Sequence, residues 1–287
     1  MFLSLEAYKT RIDRDLAAAV DRLGDPSPLR EACAYALLNG GKRLRPMLVF
    51  LIAEALGCDR DVSSAALCVE YFHTASLIAD DLPCMDNDDM RRNLPALHKA
   101  FGESIALLAS YTLVAAGYGA ISEASRRLRE QFPEKGSQVD EITAICLETV
   151  SRCAGLQGAT HGQFLDLFPP DQSLETILTI IYRKTATLFE ISFVMGWLFG
   201  GGAVHRLDEV KQCAKHLGVG FQIADDIQDF LQDKKSSSIN IARVFGLDRA
   251  RDRFNQEMTN LCQALQSLGL WSEPFQGIFK QLSLSIL

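Results

Sequence analysis

The chain has 287 residues, of which 48% are hydrophobic and 23% are charged, with a formal net charge of −7 at pH 7. These proportions are typical of a soluble globular protein with a large core. The acidic balance argues against a nucleic-acid-binding surface, because neutralising phosphates requires an excess of basic residues.

The cysteines and the apolar segments indicate the cellular compartment of the protein. The eight cysteines are scattered without a Cys-x-x-Cys pair, which favours reduced thiols over a disulfide framework or a zinc site. The amino-terminal segment, with Glu6 and Lys9, is too short and too charged for a signal peptide. The most apolar run, 191–204, is shorter than the ~20 residues that a membrane span requires. We therefore expect a cytoplasmic protein without a membrane span.

Helical spacing dominates the sequence, and the alternation typical of strands is almost absent. Glycines and prolines mark the helix ends, and Ser63 or Ser64 is the predicted cap of the third helix. In chain order, the predicted helices cover residues 31–39, 46–56, 63–81, 103–131, 139–165, 173–199, 207–232 and 240–267. The pattern predicts one all-α domain over residues 1–287.

Two groups of aspartates follow apolar helical segments: Asp80, Asp81 and Asp86, and Asp225, Asp226 and Asp229. Carboxylates beside apolar segments repel one another and lose hydration, so they are costly unless a cation neutralises them. A solvated acidic face could explain one such group. Two groups on separate helices favour a cavity that holds divalent cations and an anionic ligand.

The spacing within each group suits a hard cation. Asp225 and Asp229 lie four residues apart and therefore share a helix face. The break at Pro83 lets Asp86 fold back towards the end of its helix. Ligands that are all oxygen select magnesium before calcium or zinc, and magnesium shares phosphate oxygens of a substrate. The expected ligand is a phosphate or a diphosphate.

Basic residues are placed to bind such a ligand. The stretch 40–46 (GGKRLRP) puts three cations in a glycine-opened turn at a helix start, which is a suitable anion site. Arg91 and Arg92 follow the first aspartate group, and Arg183 and Lys184 interrupt an apolar helix. Each of these alone is more often a solvated patch. Together with the two aspartate groups they favour a diphosphate site.

These motifs resemble the trans-isoprenyl diphosphate synthase family, in its farnesyl/geranylgeranyl diphosphate synthase group. They occur in the family's order over about residues 30 to 250. The matching strings are GGKRLRP (40–46), HTASLIADDLPCMDNDDMRR (73–92), HKAFG (98–102), GQFLDL (162–167), KT (184–185) and GFQIADDIQD (220–229).

The resemblance implies an isoprenoid synthase-like helical bundle around a central cavity, usually in a homodimer. In such a cavity about three magnesium ions hold an allylic diphosphate. The implied metal ligands are Asp80, Asp81 and Asp86 on one side and Asp225, Asp226 and Asp229 on the other. Arg91, Lys184, Thr185 and Gln222 would bind the allylic diphosphate, and Lys42, Arg45, His73 and Arg92 would bind isopentenyl diphosphate. His73 could instead be a core histidine.

The implied reaction is a magnesium-dependent condensation. Magnesium and Lys184 stabilise the departing diphosphate, and an allylic carbocation results. The catalytic groups would be Lys184, Arg91, Asp80 and Asp225. Apolar walls exclude water, the double bond of isopentenyl diphosphate attacks the cation, and the released diphosphate takes the proton.

Product length depends on the residues before the first aspartate group. In the family, a bulky aromatic residue five positions before the first aspartate limits the product to farnesyl diphosphate (C15). This chain has Ala75 there, ~7.5 Å along the helix from Asp80, which favours geranylgeranyl diphosphate (C20). Phe72 or a residue of a neighbouring helix could still close the pocket.

Some positions depart from the family pattern. Ala79 and Asn93 replace a histidine and a glycine. The segment after Asp233 is short, so that the family's usual lysine aligns with Ser238, and Lys234 or Lys235 could substitute for it. No charged residue follows Lys280.

These departures leave two alternatives open. A non-catalytic subunit that regulates an active synthase would explain the altered segment. A terpene cyclase would share the first aspartate motif, but it would not need Lys42 and Arg45.

Overall fold

A computed structural model describes residues 4–57, 59–232 and 239–286. The prediction of an all-α fold is confirmed, since α-helices account for most of these residues. The helices are α1 (Leu5–Val20), α2 (Pro28–Leu38), α3 (Leu44–Ala55), α4 (Ser63–Asp80), α5 (Leu97–Phe101), α6 (Glu103–Gln131), α7 (Gly136–Ala154), α8 (Ala159–Leu167), α9 (Leu174–Ile181), α10 (Thr187–Phe199), α11 (Leu207–Leu231), α12 (Ile241–Phe245), α13 (Leu247–Ser267) and α14 (Glu273–Leu284).

Short elements connect some of these helices. The strands β1 (Met90–Arg91) and β2 (Leu94–Pro95) pair antiparallel in a hairpin after α4. Three 3₁₀ turns are formed by Asp21–Leu23, Pro133–Lys135 and Val204–Arg206, and Tyr182–Ala186 forms a π-helical turn between α9 and α10.

Three of the predicted helices are interrupted in the structure. The range 139–165 divides into α7 and α8, and 240–267 divides into α12 and α13 at Gly246, whose φ is +89°. The range 173–199 contains the π turn, where Arg183 and Lys184 interrupt the apolar residues. Because the chain is helical on both sides of it, a 3.6-residue period does not distinguish this turn from an α-helix. The helices α1, α5 and α14 and the hairpin were not predicted.

The predicted serine cap of α4 is wrong. The residue before α4 is Val62, which provides no side-chain cap. Instead the carboxylate of Asp61 accepts a hydrogen bond from the backbone N–H of Ser63, at 3.0 Å. An acidic side chain one residue further upstream therefore satisfies the start of this helix.

The described residues form two compact units. The first comprises 4–50 and 59–147, and the second comprises 51–57, 148–232 and 239–286. The expectation of a single domain over 1–287 stays a prediction.

The first unit is built on α4, which packs against α6. Residues around most of the circumference of α4 are buried, as expected for a helix that is apolar on all sides. The hydroxyl of Ser110 on α6 donates a hydrogen bond to the carbonyl of Ala75 at 3.0 Å. Asp80 therefore stands at the C-terminal end of a fixed, buried helix.

The second unit is built on α10 and α11. Every residue of α10 is buried, and this helix packs against α11, which packs in turn against α13. Helix α11 carries the second aspartate group close to its C-terminal end, where Asp226 is buried. Both aspartate groups thus follow buried helical segments, as the sequence indicated.

One helix of the described residues, α6, has the length and apolar composition needed to cross a membrane. Within that stretch, 33% of the residues are buried inside the protein. A single helix of this kind also occurs in soluble proteins, so it is weak evidence for a membrane span.

A buried carboxylate joins α11 and α13. Glu257 is 1% exposed, with Oε2 lying 2.6 Å from Nδ1 of His216 and Oε1 accepting a hydrogen bond from Arg253 at 2.5 Å. Burial by itself raises the pKa of Glu257, but the hydrogen bond with His216 and the charge of Arg253 lower it by more, so the pKa lies below its ordinary value.

This lowered pKa predicts a contribution to acid stability. Ionised Glu257 stabilises the fold fully above about pH 4.3, the ordinary pKa of a glutamate, and this contribution is lost as the pH falls through the lower folded-state pKa. Glu257→Gln should therefore lose less free energy of unfolding than the wild type between about pH 7 and about pH 3, measured in urea. Glu141→Gln, at an exposed position of α7, is the control. Equal losses in wild type and Glu257→Gln would contradict the prediction.

Candidate functional site

The chain reverses direction directly after α4. Asp81 caps the helix, and the backbone N–H of Asp86 donates a hydrogen bond to the carbonyl of Asp80 at 2.9 Å. Asn87 follows with a φ of +54° and donates its N–H to the carbonyl of Leu82. Asp86 thus returns to the end of α4, where Asp80 and Asp86 are both half-buried.

Asp81 is paired with Arg91 of the hairpin. The carboxylate is 2% exposed and accepts hydrogen bonds from Nε of Arg91 at 3.0 and 3.1 Å. Burial raises the pKa of Asp81, against the lowering effect of Arg91. One predicted metal ligand and one predicted diphosphate ligand therefore bind each other, and a ligand of either must compete with this pair.

The next arginine packs on the glycine-opened turn. Arg92 donates from Nη1 to Oδ1 of Asn39 at 2.9 Å and to the carbonyl of Gly40. Gly41 has a φ of +118°, and a Cβ there would lie 2.6 Å from Cζ of Arg92. Only glycine adopts this positive φ without strain and also leaves room for the side chain of Arg92. The hairpin and the turn before α3 are thereby joined.

Arg43 does not take part in the anion site that its turn was predicted to form. Its guanidinium is buried and donates to Asp13 at 2.7 Å, to Glu70 at 2.5 Å and to the carbonyl of Leu37 at 2.5 Å. Its φ is +51°, which directs this side chain inward. The same turn leaves Lys42 exposed, and Arg45 lies half-buried in α3.

His73 lies beside Arg45, with Nε2 located 3.3 Å from Nη1 of the arginine. Burial, together with the charges of Arg45 and Arg92, lowers the pKa of His73 well below its ordinary value. The neutral ring can accept the hydrogen bond of Arg45 at Nε2. Its Nδ1 is buried and has no hydrogen-bond partner among the residues that the structure describes.

In the second unit, the π turn presents Lys184 and Thr185. Nζ of Lys184 donates to the carboxylate of Asp166 on α8 at 2.6 Å. The hydroxyl of Thr185 donates to Oε1 of Gln222 at 2.9 Å, and Nε2 of Gln222 donates to Asp226 at 3.0 Å. Three predicted site residues thus form one chain of hydrogen bonds. π turns are frequent at functional sites.

Asp226 also holds the segment that precedes α12. Its Oδ2 accepts the backbone N–H of Ile241 at 2.9 Å, and Asn240 donates from Nδ2 to the backbone carbonyl of Asp226 at 2.8 Å. Asn240 caps α12 as well, accepting the N–H of Arg243 at 3.0 Å. Burial raises the pKa of Asp226 to about 6.

Sequence reasoning missed three residues that hold predicted ligands in place: Asn39, Asp166 and Asn240. The position of Asn240 before a helical segment is a capping signal that could have indicated its role. Asp166 lies within the string GQFLDL (162–167) that resembles the family, which could have indicated it, whereas Asn39 gave no comparable signal. Lys234, Lys235 and Ser238 lie outside the described residues.

The donor types fit a hard divalent cation. Both aspartate groups supply only carboxylate oxygens, which magnesium and calcium prefer. Among the described residues, no three or more His, Cys, Asp or Glu side chains are grouped closely enough to hold a metal ion.

Comparison with known proteins identifies relatives of this chain. Residues 26–253 match the family described as polyprenyl synthetase. A chloroplastic geranylgeranyl pyrophosphate synthase of Arabidopsis thaliana is 33% identical over 267 residues, covering 86% of this chain and 72% of the relative. A farnesyl diphosphate synthase of Geobacillus stearothermophilus is 35% identical over 252 residues, covering 87% and 80%.

Solved structures show the same similarity. The geranyltransferase of Legionella pneumophila aligns with a TM-score of 0.82 at 29% sequence identity, covering 97% of this chain and 95% of its own. The geranyltransferase of Helicobacter pylori aligns with a TM-score of 0.81 at 27% identity, covering 98% and 99%.

The buried ion pair of Arg43 generates a stability prediction. Glu70→Ala removes a carboxylate that is 1% exposed and leaves Arg43 buried with incomplete neutralisation. The free energy of unfolding should fall by about 3–5 kcal/mol, measured by urea denaturation. Glu130→Ala, which breaks an exposed pair with Arg126, is the control and should cost at most about 1 kcal/mol. A loss no larger than that of the control would contradict the prediction.

Proposed function

This chain belongs to the polyprenyl synthetase family, and from that membership we propose that it is a magnesium-dependent short-chain trans-prenyltransferase. It condenses isopentenyl diphosphate with an allylic diphosphate and releases diphosphate. The product is geranylgeranyl diphosphate (C20) or farnesyl diphosphate (C15). The observation that carries the proposal is that, in each unit, a cation of the predicted diphosphate site is already held by a buried carboxylate: Arg91 by Asp81 and Lys184 by Asp166.

In the first unit, Asp80, Asp81 and Asp86 are the proposed metal ligands. Arg91 is the proposed ligand of the allylic diphosphate. The support is the fold-back of Asp86 onto Asp80 and the Asp81–Arg91 pair, which holds the guanidinium in place before a ligand arrives. Isopentenyl diphosphate is assigned to the cations around the glycine turn, namely Lys42, Arg45, His73 and Arg92.

In the second unit, Asp225, Asp226 and Asp229 are the proposed metal ligands, with Asp225 the principal one. Lys184, Thr185 and Gln222 are the proposed ligands of the allylic diphosphate. The support is the chain of hydrogen bonds from Thr185 to Asp226 and the pairing of Lys184 with Asp166. Both carboxylate oxygens of Asp226 already accept hydrogen bonds, so Asp226 would bind a metal ion more loosely than Asp225 and also holds this part of the site in shape.

These residues suit the chemistry of diphosphate departure. About three magnesium ions, when bound, neutralise the diphosphate. Arg91 and Lys184 exchange their carboxylate partners for diphosphate oxygens and stabilise the negative charge that grows on them as the carbon–oxygen bond breaks. The apolar residues of the buried helices keep water from the allylic cation. No protein nucleophile is needed, because the double bond of isopentenyl diphosphate attacks the allylic cation. No protein base is needed either, because the released diphosphate accepts the proton that is lost after the carbon–carbon bond has formed.

We include a homodimer and a cytoplasmic location in this proposal. Support for the homodimer comes from the exposed apolar side chains of α6, among them Leu108 (50% exposed) and Tyr111 (62% exposed). An apolar face of this kind is typical of association surfaces. Sedimentation equilibrium would test the oligomeric state, and a monomer at micromolar concentration would contradict this part.

The first test is a prenyl transfer assay. Labelled isopentenyl diphosphate is incubated separately with dimethylallyl, geranyl and farnesyl diphosphates, with magnesium and with EDTA. We expect elongation only with magnesium, and a C20 product because Ala75 is small and buried. A product that stops at C15 would support the proposed reaction but contradict the role of Ala75 in leaving room for a C20 product. Absence of elongation from every primer would contradict the proposal and favour a non-catalytic regulatory subunit.

The second test uses the two aspartate groups. Asp80→Ala and Asp225→Ala should each lower turnover by on the order of 100-fold or more, because each removes charge that holds the metal-bound diphosphate. Asp208→Ala, on an exposed part of the same helix as Asp225, is the matched control and should keep full turnover. Circular dichroism establishes that each variant is folded. Wild-type turnover in both aspartate variants would contradict the assignment of the site.

A further inference from the structure

We propose that Gly117 of α6 determines product length, because it provides the space in which the ring of Phe72 lies against α6. This inference rests on the proposed function, and it adds a residue of a second helix to the specificity determinants. The contact lies entirely within the first unit.

The ring of Phe72 occupies the place where a side chain at position 117 would be. A Cβ built on Gly117 would lie 2.5 Å from Cε2 of Phe72 and 2.9 Å from both Cδ2 and Cζ. These distances are too short for any side chain at position 117 while the ring keeps its position. Phe72 is 5% exposed, and Tyr118 meets its ring edge to face at a centroid distance of 5.3 Å.

The backbone gives no separate reason for glycine at this position. Gly117 lies inside α6, and its φ is not in the positive region. Glycine in a helix interior costs about 1 kcal/mol relative to alanine. The close approach of Phe72 is therefore the physical reason that the structure offers for this glycine.

A second contact fixes the distance between α4 and α6. Ser110 lies two turns before Gly117 on the same face of α6, and its hydroxyl bonds to the carbonyl of Ala75. Ala75 lies one turn after Phe72 on α4. Because this hydrogen bond ties the two helices together, a larger residue at position 117 displaces the ring of Phe72 more readily than it displaces the helices.

The displaced ring would enter the space that a growing chain needs. Phe72 lies eight residues before Asp80, or ~12 Å along α4, while Ala75 lies ~7.5 Å from it. A chain whose diphosphate is bound at Asp80 passes the small Ala75 and then reaches the level of Phe72. With Gly117 in place the ring lies back against α6. Without it the ring turns away from α6, and the available length becomes shorter.

The experiment compares Gly117→Ala with Gly119→Ala. Both variants replace a glycine in the interior of α6, and a Cβ at position 119 would meet no atom within 4 Å. Labelled isopentenyl diphosphate and each allylic primer are supplied, and the ratio of shorter to longer products is measured. We expect Gly117→Ala to raise this ratio about tenfold, and Gly119→Ala to leave it unchanged. Adding Phe72→Leu to Gly117→Ala should reverse the shift.

The ratio is measured among the products of one enzyme, so it does not depend on the fraction of that enzyme that is folded. An unchanged ratio or longer products from Gly117→Ala would overturn the inference. Should that variant fail to fold, Phe72→Leu alone decides the matter: it should lengthen the product, and an unchanged length would likewise overturn the inference. Absence of elongation by the wild type would contradict the proposed function itself, which is a separate outcome.

Discussion

The cost of removing carboxylates from water is the constraint on which the rest of this structure depends. Asp81, Asp166 and Asp226 are each at most 9% exposed, and each accepts hydrogen bonds from a cation or from N–H groups. A buried carboxylate left without such a partner would be strongly destabilising. The partners are themselves residues of the proposed diphosphate site, Arg91 and Lys184 among them. The electrostatic balance that allows folding therefore also positions the groups that would bind the ligand.

This pairing implies that a diphosphate binds by exchange of partners. The side chains of Arg91 and Lys184 are already held by hydrogen bonds to carboxylates. Binding of a diphosphate therefore restricts them little further, because most of their conformational entropy is lost when the protein folds. Asp226 illustrates a different use of the same constraint. Its two oxygens hold Gln222 on its own helix and the backbone of Ile241 at the start of α12, so Asp226 anchors the second unit in addition to its proposed looser contact with metal.

Close helix packing provides the second element of the site. Small side chains at Ala75, Ser110 and Gly117 let α4 and α6 approach, and the ring of Phe72 fills the space that remains. Helix interfaces are packed to crystal-like density, so a single added methyl group must move a neighbour. Product length would therefore depend on residues of both α4 and α6, and the residues of α4 would not determine it alone.

The sequence by itself determined the helical class, the two aspartate groups and the cations beside them, because periodicity and residue chemistry are local properties. The breaks within the ranges 139–165 and 240–267 and the π turn were not predicted, since each occupies only a few residues between two helical segments. Only the tertiary structure decided which cation meets which carboxylate. Arg43 and Arg45 stand two residues apart with equal charge, yet the first, with a positive φ, is buried against Glu70, while the second lies beside His73. Such choices depend on contacts between residues distant in sequence, and no local pattern records them.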